Sequence, residues 1–159
     1  MRIGVRRFFA AATLGSASIG ALGVVAVPAC STGRENTAPQ VLSIGAAIRV
    51  DASVQISFVL FDLEESPTDV AVEYAVDGGS FSAVTAIPIG GSGTRGLATR
   101  VFDYQSVPQG FPHRFLWAAQ SETPAIGLDD PLVVRVTPSD GLTGAGLATG
   151  AFTLRSLGF

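Results

Sequence analysis

Three kinds of side chain in this sequence are capable of chemistry: one cysteine, one histidine and a group of carboxylates. Cys30 is the only cysteine of the chain, so it has no partner for an internal disulfide. A cysteine thiolate is nucleophilic enough to take a diacylglycerol group, which makes lipid attachment the chemistry that suits Cys30 best. His113 is the only histidine and has no second histidine to share a metal. We expect it to be a partly exposed strand residue without a catalytic role.

The carboxylates of interest fall in two predicted loops. Four of them follow the predicted strand at 54–60, and the fifth follows the predicted strand that begins at Leu132; they are Asp62, Glu64, Glu65, Asp69 and Asp140. If the two loops meet at one pole of the fold, these side chains are candidates for a calcium site, because calcium takes about six to eight oxygen ligands. The alternative is that they are solvated acids that keep the protein soluble.

The first 29 residues have the layout of an export signal. Three arginines precede an uncharged apolar run over residues 8–27, and small residues then lead to Cys30; the arginines are Arg2, Arg6 and Arg7. A positive start, an apolar stretch and a small-residue cleavage site are the three parts of a secretory signal. The alternative is that residues 8–27 remain as an uncleaved transmembrane helix, since about 20 apolar residues can span a bilayer.

Two short motifs refine this prediction. Residues 27–30, Val-Pro-Ala-Cys, resemble a bacterial lipobox, in which the chain is cut before a cysteine that carries lipid. This resemblance implies a signal peptide over 1–29, diacylglycerol and palmitate on Cys30, and a membrane-anchored protein of the bacterial cell envelope, at the outer membrane or cell surface. Residues 6–9, Arg-Arg-Phe-Phe, also resemble the twin-arginine export signature, so the general and twin-arginine routes both stay open.

Charge excludes one class of partner. All ten basic residues are arginine, and removal of residues 1–29 leaves seven arginines against thirteen acids, a net charge of −6. Binding to nucleic acid needs a basic face for the phosphates, so we expect no nucleic-acid partner. No nucleophile elbow or comparable catalytic signature is present either, and we expect no enzymatic activity.

The rest of the chain predicts one β-rich domain. Residues 30–39 are predicted to be the lipidated cysteine and a polar tether, and residues 40–159 contain short alternating runs separated by turn residues. This pattern predicts an all-β, two-sheet antiparallel sandwich of about seven to eight strands. The side chains expected in its core are Phe58, Val72, Tyr74, Trp117 and Val134. The glycine-rich segment 88–96 is predicted to be a mobile loop that does not pack.

The segments 61–81, 113–117 and 133–141 are similar to the fibronectin type III or Ig-like repeats of bacterial surface proteins. This resemblance implies a monomeric β-sandwich that serves as an adhesion, scaffolding or protein-interaction module, with an envelope protein or a polysaccharide as its partner. The alternative is a module that binds carbohydrate or a calcium-dependent ligand. Three aromatic residues are candidates for stacking on a sugar: Phe102, Tyr104 and Phe111.

Overall fold

The computed structural model describes residues 35–101 and 109–159. In these residues the chain forms nine strands and two short 3₁₀ helices, at Ala119–Ser121 and Arg155–Leu157. The strands are β1 (Gln40–Ile44), β2 (Ile48–Val50), β3 (Ser53–Phe61), β4 (Asp69–Val76), β5 (Ser82–Ala83), β6 (Arg100–Val101), β7 (Gln109–Trp117), β8 (Leu132–Ser139) and β9 (Leu147–Ala148).

The strands form two antiparallel sheets. The five-stranded sheet has the order β1-β3-β7-β6, with β2 also paired to β3, and the four-stranded sheet has the order β5-β4-β8-β9. Almost no helix accompanies them in the described residues. The prediction of an all-β, two-sheet antiparallel sandwich is therefore confirmed.

Alternation along the long strands places the core between the two sheets. In β3 every second side chain is buried, from Val54 to Leu60, and β8 shows the same period from Leu132 to Val136. Successive side chains of a strand point to opposite faces, so this period sends one apolar row per strand inward. All five predicted core residues are buried, which confirms that prediction: Phe58, Val72, Tyr74, Trp117 and Val134.

A tight hairpin follows β4, and its second strand is short. Asp77 and Gly78 both have positive φ, at 49° and 69°, as a tight turn requires. The strand that follows covers only Ser82–Ala83. Beyond this strand, the backbone N–H groups of Thr85 and Ala86 donate to the buried carboxylate of Glu122.

The glycine-rich segment 88–96 contains no strand, but the prediction that it does not pack was wrong. The Ser92 N–H donates to the Arg114 carbonyl on β7 at 2.7 Å, and the Thr94 carbonyl accepts an N–H from β4 at 2.8 Å. A Cβ on Gly91, where φ is +68°, would lie 2.6 Å from the Arg114 carbonyl oxygen. The glycine therefore lets the segment approach the β7 backbone, and the segment joins the edges of both sheets.

Candidate functional site

One end of the sandwich gathers the N-terminal segment and the two acidic loops. Residue 40 of β1 pairs with residue 61 of β3, so the chain enters the sheet where β3 ends. Asp69 of β4 pairs with Ser139 of β8, so the loops 62–68 and 140–146 leave their strands at this same end. We call the segments 35–39, 62–68 and 140–146 the loop pole. The two acidic loops therefore leave their strands at the same end of the sandwich.

Two of the candidate calcium ligands, one in the loop 62–68 and one at the start of β4, are held by separate partners. The Glu65 carboxylate forms an ion pair with Arg100, with 2.5 Å between the nitrogen and the oxygen. The Asp69 carboxylate accepts a hydrogen bond from the Gly96 N–H at 2.8 Å. Each of these acids therefore fastens a neighbouring segment at this end of the sandwich.

Asp62 is the most buried of the five candidates, with 1% of its surface exposed. Its Oδ2 accepts a hydrogen bond from the Ser66 N–H at 2.6 Å, whereas its Oδ1 is buried and has no donor. Burial raises the pKa of Asp62 and the neighbouring Glu64 raises it further, which together outweigh the lowering effect of the Ser66 hydrogen bond. Ionisation of Asp62 is therefore less favourable in this position than in water.

The five candidate acids do not assemble into a metal site. Asp140 uses Oδ1 to accept the Leu142 N–H at 3.1 Å, and its Oδ2 is buried without a donor. Among residues 35–101 and 109–159, no group of three or more histidine, cysteine or acidic side chains is arranged to hold a metal ion. The segments that carry these acids therefore lie at the same end of the sandwich, but the acids do not form one set of metal ligands. The five acids are Asp62, Glu64, Glu65, Asp69 and Asp140.

The segment before β1 is fastened to the loop 62–68 through Glu64. Its Oε2 accepts hydrogen bonds from both the backbone N–H and the hydroxyl of Thr37, at 3.2 and 2.7 Å. The Thr37 hydroxyl is the main reason that the pKa of Glu64 lies below its ordinary value. Glu64, predicted as a calcium candidate, thus binds the chain that leads back toward Cys30.

His113 is buried in the middle of β7, with 6% of its surface exposed, so the prediction of partial exposure was wrong. Its Nε2 lies 2.7 Å from the Ala98 carbonyl oxygen, and its ring stacks on Phe58 at a centroid distance of 5.5 Å. Alternation along β7 puts residue 113 on the inner face together with residues 115 and 117. The imidazole is part of the core.

Glu122 is a buried acid that the sequence analysis did not single out. Only 4% of its surface is exposed, and its Oε1 accepts N–H groups from Thr85, Ala86 and the Trp117 indole at 2.8–2.9 Å. Its Oε2 accepts the Thr85 hydroxyl at 2.7 Å. Burial alone would raise the pKa of Glu122, but these four hydrogen bonds outweigh it and lower the pKa. No local pattern around residue 122 signals this role.

The structure describes only one of the three aromatic residues that were predicted to stack on a sugar. Phe111 is 37% exposed and its ring packs against His113 at a centroid distance of 5.1 Å. Phe102 and Tyr104 lie outside the described residues. An aromatic platform for a sugar stays a prediction.

Comparisons with protein-family models, with curated proteins and with solved structures found no match. In the part of the chain that the structure describes, no helix is both long and apolar enough to cross a membrane. The predicted signal segment 1–29 and Cys30 lie outside the described residues.

Proposed function

We propose that this protein is a lipid-anchored component of the bacterial cell envelope and that its β-sandwich acts as an adhesion, scaffolding or protein-interaction module. The observation that carries the proposal is the single cysteine, Cys30, directly after an arginine-led apolar run. A burial free energy of about 0.8 kcal/mol per methylene means that one acyl chain binds a membrane marginally, whereas two or three hold it stably.

The strand order supports the resemblance to fibronectin type III or Ig-like repeats. The scheme that leaves out the short β2 takes β1, β3, β4 and β5 as strands A, B, C and C′, and β6, β7, β8 and β9 as strands D, E, F and G. The sheets then have the orders A-B-E-D and C′-C-F-G. This is the division of strands between the two sheets of an Ig-like sandwich. Such domains commonly present a binding surface on a rigid scaffold, although the fold alone does not assign a partner.

The N-terminal attachment supports the anchored arrangement. Thr37 is bound to Glu64, and the backbone of Pro39 lies directly against Gly144, where no side chain would fit. The chain therefore leaves the sandwich in a defined place at the loop pole. A lipid on Cys30 would attach the domain by this pole and leave the outer faces of both sheets accessible to a partner.

Labelling with palmitate in a bacterial host tests the anchor. The wild-type protein should take up labelled palmitate and partition into the detergent phase, and Cys30→Ala should lose both properties. Ser31→Ala, the neighbouring substitution, should keep both. A wild-type protein that takes up no label, under conditions where a known lipoprotein is labelled, contradicts the proposal.

A further inference from the structure

The five-stranded sheet carries no acidic residue, although the protein has an excess of acids. None of its described strands, β1, β2, β3, β6 and β7, contains Asp or Glu, whereas they contain three arginines. Arg100 pairs with Glu65, and Arg49 lies over the Phe159 ring at 4.7 Å from its centroid. Arg114 on β7 has no carboxylate partner among the described residues. The acids of the described residues therefore lie outside the strands of this sheet. Arg114 gives the sheet a positive charge with no described carboxylate partner.

Arg114 lines a groove of about 470 Å³ on the outer face of this sheet. Cross-strand pairing arranges the groove in two adjacent rows over β1, β3 and β7. One row is Ser43, Val59 and Pro112, and the other is Gly45, Ser57 and Arg114. Directly opposed residues have Cβ atoms about 4.5–5.5 Å apart, so both rows lie within reach of one small ligand.

Gly45 keeps the second row open. Its N–H donates to the Ser57 carbonyl at 2.7 Å, which holds it beside β3. A Cβ at Gly45 would make only ordinary contacts, at 3.4 Å from the Ser57 carbonyl oxygen and 3.6 Å from the Ser57 Cβ. The absence of a side chain here is therefore not required by the backbone, and it leaves space next to Ser57 and Arg114.

We propose that this groove binds a carboxylate-bearing saccharide, an inference that rests on the proposed role of the sandwich as a binding module. The guanidinium of Arg114 offers the planar pair of donors that matches a carboxylate. The hydroxyls of Ser43 and Ser57 can bond sugar hydroxyls, and Val59 and Pro112 present an apolar surface to the C–H face of a sugar ring. The volume suits this ligand, since small-molecule sites are commonly about 300–1,000 Å³.

The position of the groove favours a saccharide over an acidic peptide. Beneath it, the backbone of β3 is paired with β1 on one side and with β7 on the other. A peptide therefore cannot add as a strand at this place, which is the usual way in which a sheet binds an extended chain. Recognition has to come from the outward side chains, and these combine one cation with hydroxyl and apolar groups.

Binding to an oligogalacturonate tests the proposal on the full-length chain in detergent. The wild-type protein should bind it at low salt, bind it less tightly as salt screens the charge, and not bind a neutral galacto-oligosaccharide of equal length. Arg114→Gln should raise the dissociation constant by at least about tenfold, the effect of losing a charged hydrogen bond. Arg95→Gln removes the same charge from an exposed arginine outside the groove and should leave binding unchanged.

Gly45→Leu tests the groove without removing charge. Residue 45 does not have a positive φ, so a leucine fits the backbone and fills the open position. The variant should keep the melting temperature of the wild type and lose oligogalacturonate binding. Equal affinity of wild type and Arg114→Gln overturns the proposal, and so does polyglutamate or the neutral sugar binding as tightly as the uronate.

The proposed lipid anchor and the proposed saccharide site in the groove can be tested independently. The Cys30→Ala protein should bind oligogalacturonate as tightly as the wild type, because the groove lies on the folded sandwich. Uronate binding by a wild-type protein that takes up no palmitate supports the groove and contradicts the anchor. Palmitate uptake without uronate binding by either protein overturns the groove and leaves the anchor supported.

Discussion

Replacing Glu122 removes the acceptor that joins the end of β7 to the segment that follows β5. Its carboxylate binds the Trp117 indole at the end of β7 and both the backbone and the side chain of Thr85, which follows β5. Glu122→Gln isolates the role of charge. The amide oxygen can accept the three N–H groups, and the amide nitrogen can donate to the Thr85 hydroxyl, so all four contacts survive without the negative charge.

The expected cost of each variant follows from the hydrogen bonds. A bond to a charged group contributes about 1.5–3 kcal/mol and a neutral one about 0.5–1.5 kcal/mol. The four bonds share one negative charge, so their losses do not add in full, and Glu122→Gln should lower the free energy of unfolding by about 2 kcal/mol. Glu122→Ala leaves three buried N–H donors without an acceptor, which at about 1–3 kcal/mol each predicts a loss of about 3–5 kcal/mol once water enters the space. At roughly 4 °C per kcal/mol for a domain of this size, Glu122→Gln should melt about 8 °C lower.

The loss of stability in Glu122→Gln should depend on pH in a defined direction. The pKa of Glu122 in the folded protein lies below its ordinary value of 4.5. The ionised carboxylate therefore stabilises the fold above pH 4.5, and this contribution is lost as the pH falls through the lowered pKa. The difference in stability between wild type and Glu122→Gln should be full at pH 7 and should shrink below pH 4.5.

Denaturation followed by tryptophan fluorescence measures this directly, because Trp117 is the only tryptophan and touches Glu122. Glu35→Gln is the control, since it removes one negative charge from an exposed position in the N-terminal segment. Equal melting temperatures of Glu122→Gln and Glu35→Gln at pH 7 would contradict a role for the charge of Glu122. So would a difference between wild type and Glu122→Gln that grows below pH 4.5.

Three further substitutions test other parts of the structure. Asp62→Asn should raise the melting temperature at pH 7 because the raised pKa of Asp62 makes stability fall as pH rises above 3.8, and an unchanged pH profile would contradict this. Gly91→Ala should destabilise by at least about 1 kcal/mol more than Gly93→Ala. Both glycines have positive φ, but only the first meets a carbonyl oxygen, that of Arg114; equal losses in urea denaturation would exclude that close approach. Phe58→Ala, which truncates a side chain 2% exposed, should cost about 3–5 kcal/mol in the same measurement, and a loss under 1 kcal/mol would place it outside the core.

Features encoded by near neighbours in the chain were predictable. The alternation over 54–60 and 132–136 depends only on residues two apart, and it led to strands with the correct inward face. The Asp77-Gly78 turn was predictable for the same reason, since its positive φ values follow from local steric limits. The charge excess and the position of Cys30 are likewise properties of the sequence itself.

Features that depend on which distant segments meet were not predictable. Glu122 meets Thr85 across 37 positions, and Ser92 meets Arg114 across 22, so neither contact leaves a periodic signal. The glycines of 88–96 were interpreted as a reason for mobility, whereas the folded chain uses Gly91 to approach a backbone carbonyl.

Local sequence patterns are enough to predict the β class and the inward rows of the long strands. The roles of the polar residues emerge only when the two sheets pack against each other. Packing assigns Glu64 to the N-terminal segment, buries His113 and Glu122, and places Arg114 beside Ser57 in an outward groove. Burial and cross-strand register arise from whole sheets, so a hydrogen-bond partner is set by that packing and not by distance along the chain.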